Sequence, residues 1–136
     1  MSAVLLDTTV ASLLHPRKMR SAAWRLYEPH VKGQILTVCF QTVAEMYAWA
    51  ELNQWGPEPR AALEAVLHRF VVIPYTADLA RAWAQAYARA MDQGVRLESG
   101  DAWICASAVR YRLPLITHDK DFTRLHLPGL EVVCFA

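Results

Sequence analysis

The clearest structural signal in the chain is the segment AVLLDTTV at residues 3–10. Its first four residues form a short apolar run that ends at Asp7, a pattern typical of a strand buried on both faces of a parallel sheet. Residues 9–15 are predicted to form a short helix, which the sequence HPRK at 15–18 interrupts. Because strand–helix units are the building blocks of α/β folds, this segment indicates an α/β domain.

The rest of the chain continues the alternation of strands and helices. Further strands are predicted at 35–38, 71–73, 115–116 and 131–135. Further helices are predicted at 20–31, 41–53, 58–69, 76–93 and 99–112. Thr76 and Ser99 are the expected N-caps of the last two helices, and Gly94 is the expected C-cap of the helix at 76–93. This alternation favours a parallel sheet with right-handed crossovers.

The predicted core lies on the apolar faces of these helices. The helix at 20–31 places Trp24, Tyr27 and Val31 on one face. The helix at 76–93 has a predicted buried face made by Leu79, Trp83, Tyr87, Ala90 and Met91.

Length and composition exclude several classes of protein. The chain has 136 residues, of which 54% are hydrophobic, and this suits one domain with one core. The three cysteines are widely spaced and show no zinc-binding pattern, so neither a disulfide framework nor a zinc site is expected. No apolar run approaches the roughly 20 residues that span a bilayer, and no signal peptide is apparent at the start. We therefore expect a cytoplasmic protein with no membrane association.

Four acidic residues occupy equivalent positions in the predicted fold. Asp7 ends the first strand, and Asp119 follows the fourth strand by two residues. Glu45 and Asp101 lie in the first turns of two helices. Because strands end and the following helices begin at the same edge of a parallel sheet, we expect the four carboxylates to converge there. Taken singly, each acid could equally be a turn residue or a helix-dipole partner.

Four carboxylates in one pocket repel one another unless a cation lies between them. Oxygen ligands favour Mg²⁺, with Mn²⁺ next, and both ions can activate water and stabilise the charge of a phosphodiester. The hydroxyls of Thr8, Thr9 and Thr117 lie beside the acids in the sequence, where they could orient ligands or water. The pattern therefore predicts a metal-dependent phosphodiesterase.

Four segments of the chain resemble motifs of the PIN-domain family, and most closely its VapC-type toxins. They are LLDTTV at 5–10, TVAEMYAWA at 42–50, GDAWICASA at 100–108 and THDKDF at 117–122. The resemblance implies one PIN domain over residues 1–136, with a three-layer α/β/α fold around a central, mainly parallel five-stranded sheet. It also implies an endoribonuclease that depends on Mg²⁺ or Mn²⁺, forms a homodimer and is inhibited by a VapB-like antitoxin.

The family's acidic quartet corresponds to Asp7, Glu45, Asp101 and Asp119 in this sequence. Asp121 matches a position that is often acidic in the family, and we assign it only an auxiliary or structural role. Thr9 departs from the asparagine usual in the family. Basic residues that could contact RNA phosphates lie in two groups. These are Arg17, Lys18, Arg20, Lys120 and Arg124. A solvated charged surface is the alternative interpretation of these basic residues.

Two other functions remain open at this point. A PIN module could bind a partner without catalysis. An α/β phosphotransferase domain could also carry an Asp after its first strand, but dehalogenase-like enzymes need a second Asp where this chain has Thr9. Receiver domains need an acidic pair before the phosphorylated Asp, and no such pair is evident.

Overall fold

The computed structural model describes residues 2–136, which form five strands, six α-helices and one 3-10 helix. The strands are β1 Ala3–Leu6, β2 Ile35–Cys39, β3 Val71–Ile73, β4 Leu115–Thr117 and β5 Val132–Cys134. The α-helices are α1 Thr8–Ser12, α2 Ala22–Val31, α3 Phe40–Leu52, α4 Pro57–Leu67, α5 Ala77–Asp92 and α6 Ser99–Tyr111. The 3-10 helix spans Lys120–Arg124 and was not predicted. Every predicted strand and α-helix is confirmed, with ends within one or two residues for nearly all of them.

All five strands are parallel and form one sheet in the order β3-β2-β1-β4-β5. The central strand β1 pairs with β2 on one side and with β4 on the other, so that Leu6 lies opposite both Val38 and Ile116. The chain winds outward from β1 to β3 and then crosses to β4 on the opposite side. The ends of β1 and β4 therefore flank the point where the winding direction reverses, which is where α/β sheets bind ligands.

Helices cover both faces of the sheet, which confirms the three-layer architecture. Leu6 packs with α1, α2, α3 and α4 in one apolar cluster, and the preceding Leu5 packs with α5 and α6 in the other. Adjacent strand residues point to opposite faces, so β1 contributes to both clusters. Trp24, Tyr27 and Val31 of α2 are buried as predicted.

Two of the three predicted helix caps need correction. The Thr76 hydroxyl accepts a hydrogen bond from the Leu79 N–H at 3.1 Å, which confirms Thr76 as the N-cap of α5. Ser99 lies inside α6, and the N-cap is Glu98, which makes no side-chain capping bond. The C-cap of α5 is Gln93, and Gly94 follows it with a φ of +68°. Gly94 therefore lies one position beyond the C-cap, in the left-handed conformation that glycines after helix ends commonly adopt.

The predicted buried face of α5 is wrong at Tyr87 and Met91. Their exposed fractions are 37% and 66%, whereas Leu79, Ala86 and Ala90 are buried. The small side chains of Ala86 and Ala90 allow α5 to pack closely against its neighbours. Tyr87 and Met91 therefore lie on a separate, outward-facing line of the helix.

The structure also describes the three cysteines and the lengths of the helices. Cys39 and Cys105 are buried, Cys134 is half-buried, and all three are free thiols. Over residues 2–136, no helix combines the length and apolar character needed to cross a membrane.

Candidate active site

The end of β1 places Asp7 beside the end of β4. Asp7 is the N-cap of α1, and its Oδ1 accepts a hydrogen bond from the Val10 N–H at 2.8 Å. Its Oδ2 accepts a hydrogen bond from the Thr117 hydroxyl of the neighbouring strand. Both carboxylate oxygens of Asp7 therefore accept hydrogen bonds, and the residue is only 4% exposed.

The environment of Asp7 opposes its ionisation. Burial raises the pKa of its carboxyl above the ordinary value, and the negative charge of Asp119 adds to this effect. The hydrogen bonds from Thr117 and Val10 act in the opposite direction because they favour the charged form. A buried carboxylate in this setting is stabilised further by a nearby cation.

Asp119 is joined to Asp7 through the same threonine. The Asp119 N–H donates to the Thr117 hydroxyl oxygen at 3.0 Å, while that hydroxyl donates to Asp7. Asp119 also caps the 3-10 helix, since its Oδ1 accepts from the Asp121 N–H at 2.9 Å. The exposed Asp121 contacts Arg124 at 3.7 Å and orients Asp119 only through its backbone.

Glu45 approaches from α3 and lies against the start of α6. The Gln41 amide donates to Glu45 Oε1 at 3.0 Å, one helical turn earlier on the same face. A Cβ atom added to Gly100 would lie 3.0 Å from both Gln41 Nε2 and Glu45 Oε1. Because Gly100 has no side chain, Glu45 can pack against it, directly before Asp101.

The surroundings of Asp101 show most directly that the four acids lie near one another. It lies in the first turn of α6 and is half-buried. Its pKa is raised to about 6, mainly by burial and then by the negative charges of Asp119, Glu45 and Asp7. The other three acids therefore lie close enough to Asp101 to oppose its ionisation.

The four carboxylates form a loose group, which we call the acidic cleft, and not a closed cage. Within residues 2–136, no set of three or more His, Cys, Asp or Glu side chains is arranged so that it could hold a metal ion as it stands. The donors are nevertheless all carboxylate oxygens, which suit a hard divalent cation that keeps several of its waters. Direct ligation by all four residues remains a prediction.

The predicted hydroxyl residues divide into three environments. Thr117 is buried and bonds to both aspartates, as described above. The Thr8 hydroxyl lies 3.1 Å from the Thr42 hydroxyl and links α1 to α3. Thr9 is exposed at the edge of a cavity next to Glu45.

The predicted basic residues are all exposed. Arg17 lies over the Trp55 ring with its Cζ 4.9 Å from the ring centroid, and Lys18 lies over the Trp49 ring with its Nζ at 5.6 Å. Arg124 is partly neutralised by Asp121, whereas Arg20 and Lys120 form no salt bridge within residues 2–136. Lys18 also lines a cavity together with Glu45, one of the four acids.

Two features of the site were missed in the sequence. Gln41 could have been recognised, because it lies four residues before Glu45 on the same helix. The second feature is a bridge made by the buried Tyr27, whose hydroxyl lies 2.6 Å from His118 Nδ1 and accepts from the Phe135 N–H at 2.9 Å. This bridge fixes the backbone between Thr117 and Asp119, and it joins residues too distant in sequence to be paired by pattern.

Comparison with known proteins places this geometry in a family. The chain is 38% identical to Ribonuclease VapC5 of Mycobacterium tuberculosis over 65 residues, which are 48% of this chain and 47% of that protein. The match thus spans about half the length of this curated relative. Among solved structures, VapBC-5 of M. tuberculosis has a TM-score of 0.71 at 26% identity, with 98% of each chain covered.

A second structure shows the same fold at lower identity. VapBC2 from Rickettsia felis, solved bound to a promoter DNA fragment, has a TM-score of 0.81 at 16% identity, with 100% of both chains covered. The model of the PIN domain family matches residues 4–126, which include all four acidic positions. The chain therefore belongs to the PIN-domain family.

Proposed function

We propose that this protein is a metal-dependent endoribonuclease of the VapC toxin type, with Asp7, Glu45, Asp101 and Asp119 as its catalytic residues. The observation that carries the proposal is the convergence of the four acids: Asp7 and Asp119 share the Thr117 hydroxyl, and Glu45 packs against the start of α6, beside Asp101. Burial and then the negative charges of the other three acids raise the pKa of Asp101 to about 6. Repulsion among carboxylates in a half-buried site is relieved when a divalent cation binds between them. The cleft also lies at the reversal point of the sheet, where α/β enzymes bind their substrates.

The relatives support the reaction and the partners. One relative is named a ribonuclease, and the similar solved structures include several VapBC complexes. We therefore assign RNA as the substrate and a VapB-like antitoxin as the inhibitor. A homodimer is supported by the outward-facing line on α5, where Trp83 and Tyr87 stack with centroids 5.0 Å apart and Met91 is 66% exposed.

In this proposal Asp7, Asp101 and Asp119 hold Mg²⁺ or Mn²⁺. The bound ion would supply a water of lowered pKa and positive charge against the phosphodiester. Thr117 and the Val10 N–H fix Asp7 in one orientation, so the carboxylate does not reorganise when substrate enters.

Glu45 is the residue best placed to act on the attacking water. Its Oε1 accepts from Gln41, which leaves Oε2 to orient that water or to take its proton. The water oxygen then bonds to phosphorus in line with the ribose oxygen that leaves, and that oxygen takes up a proton from solvent as its bond to phosphorus breaks. Glu45 could also act as a metal ligand, and the two roles need the same placement beside Asp101.

Metal removal tests the proposed function. We expect the purified protein to cleave a 5′-labelled single-stranded RNA in MgCl₂, to stop in excess chelator, and to recover when Mg²⁺ or Mn²⁺ is restored, because the ion supplies the activated water. Denaturing gels measure the products. Full cleavage in chelator would contradict the metal-dependent mechanism.

A non-catalytic PIN module is the second candidate, because no three His, Cys, Asp or Glu side chains among residues 2–136 stand in a metal-binding arrangement. Calorimetric titration of the protein with MgCl₂ separates the two candidates. Binding heat that disappears in the Asp101→Asn variant supports the nuclease, and the absence of any heat supports the binding module.

Substitution of Gly100 should lower the activity of the protein without lowering its stability. We expect Gly100→Ala to reduce cleavage by roughly 10-fold, as is typical when a group that supports a metal site is displaced. The added methyl group would push Gln41 and Glu45 away from their positions. Alanine is favoured over glycine inside a helix by up to about 1 kcal/mol, so the thermal midpoint should not fall.

Gly56 is the matched control for this substitution. A Cβ atom at Gly56 would have no atom within 4 Å, and its φ of −76° suits alanine. Gly56→Ala should therefore leave the cleavage rate unchanged. Equal rates for Gly100→Ala and the unmodified protein would show that the position of Glu45 does not limit the reaction.

A further inference from the structure

A cavity of about 300 Å³ lies next to the acidic cleft. It is shared between α1, α3 and the segment after α1. Its lining consists of Thr8, Thr9, Ser12, Lys18, Glu45, Met46 and Trp49. Thr8 directly follows Asp7, and Glu45 belongs to both the cavity and the cleft. A group bound in this cavity would therefore lie beside the carboxylates.

We propose that this cavity binds one nucleobase of single-stranded RNA, next to the phosphate that is cleaved. Trp49 supplies the surface on which the base stacks, and Lys18 contacts the adjoining phosphate. This inference rests on the proposed nuclease function and adds a subsite that selects how the RNA strand enters the cleft.

Trp49 is half-buried and packs against two aromatic neighbours. Its ring contacts Trp55 at a centroid distance of 4.5 Å and 60°, and His15 at 5.4 Å and 67°. The Lys18 ammonium lies 5.6 Å from the centre of the Trp49 ring, and Lys18 is an exposed residue. A base can take the place of the ammonium group at little cost, because an exposed lysine side chain moves freely.

The lining suits a nucleotide better than a protein segment. Thr9 presents a hydroxyl group, and the Ser12 hydroxyl, which donates to the Thr9 carbonyl oxygen, can still accept a hydrogen bond. Lys18 forms no salt bridge with any acid in residues 2–136. Lysine contacts to phosphate and aromatic contacts to bases together characterise single-strand binding sites. A helix about 10–12 Å in diameter would not enter a space of this size, whereas a flat base would.

The test compares RNA hexamers that carry bases with a hexamer that lacks them. The probes are A6, C6, U6 and a base-free ribose-phosphate hexamer, bound in MgCl₂ to the Asp7→Asn protein so that cleavage does not interfere. We expect at least one base-carrying hexamer to bind more tightly than the base-free one. Trp49→Leu in this background should weaken binding of that hexamer by roughly 5- to 150-fold and leave the base-free hexamer unaffected.

Lys18→Gln should instead weaken all four hexamers, and it should reduce the slope of log affinity against log salt by about 0.7, as expected for one phosphate contact. Tyr47→Leu is the matched control, because Tyr47 is an exposed aromatic on the same helix that does not line the cavity. We expect it to change no hexamer affinity.

A second variant keeps the test decisive if Trp49→Leu does not fold. Thr9→Gln adds bulk at the exposed edge of the cavity and should cause the same base-selective loss. Unchanged binding of every hexamer by the folded variants would overturn the proposal and leave the cavity to a protein partner. Base-selective binding without any RNA cleavage by the unmodified protein would overturn the nuclease function alone.

Discussion

Replacing Asp7 with asparagine should reduce RNA cleavage by about 100-fold or more while leaving the fold intact. Loss of an outer partner of a metal ligand typically costs 10- to 100-fold, so loss of the charged ligand itself should cost at least as much. The cap of α1 should survive, because the asparagine carbonyl oxygen can still accept from the Val10 N–H. The measurement is the initial rate of RNA cleavage in saturating MgCl₂, together with a thermal unfolding curve.

Thr117→Val is the graded control for this experiment. Valine has nearly the same shape as threonine but removes the hydroxyl that donates to Asp7 and accepts from the Asp119 N–H. We expect a loss of roughly 10- to 100-fold, smaller than that of Asp7→Asn. A fully active Asp7→Asn protein, or a Thr117→Val protein less active than Asp7→Asn, would contradict the assignment of Asp7 as the central ligand.

The fold could be predicted because its signals are local. The apolar run before Asp7 and the helical periodicity of residues 20–31 each depend on fewer than a dozen neighbouring residues. The convergence of Asp7 and Asp119 also followed, because parallel strands end at a common edge whatever their order. The order β3-β2-β1-β4-β5 then made these two strands direct neighbours.

The remaining features depend on packing between distant segments. Tyr27 lies 91 residues from His118 and 108 from Phe135, so no spacing rule connects them. The face of α5 was misjudged because Tyr87 and Met91 are as apolar as core residues, and only the close approach permitted by Ala86 and Ala90 decides which line is buried. The closeness of Gly100 to Glu45 likewise appears only when two helices are placed together.

Replacing Asp101 with asparagine should change both the activity and the stability of the protein. We expect Asp101→Asn to abolish cleavage and yet to stabilise the metal-free protein at pH 7.5, on the order of 1 kcal/mol after allowance for the solvent that reaches this half-buried carboxyl. Its pKa of about 6 in the folded protein lies above the ordinary value of 3.8. The folded state therefore binds this proton more tightly than the unfolded state does.

The sign of the pH dependence follows from that difference. The contribution of Asp101 to stability is fully present below pH 3.8 and is lost as the pH rises through 6. In chelator, the unmodified protein should lose stability over this range, and Asp101→Asn should lose less. Glu131→Gln, which removes an exposed carboxyl, is the control and should keep the slope of the unmodified protein.

Adding MgCl₂ at pH 7.5 should then make the unmodified protein more stable than Asp101→Asn. A cation that binds only the folded state raises the thermal midpoint of the unmodified protein in proportion to the logarithm of its concentration, whereas the variant has lost a ligand and should respond weakly. Two results would contradict this expectation: the stability of the two proteins in chelator changes with pH along parallel slopes, or both respond equally to MgCl₂. Either result would show that the ionised Asp101 does not destabilise the metal-free protein. A site that destabilises the empty protein and is stabilised by its ion is the arrangement expected when the same repulsion between carboxylates serves to recruit the metal.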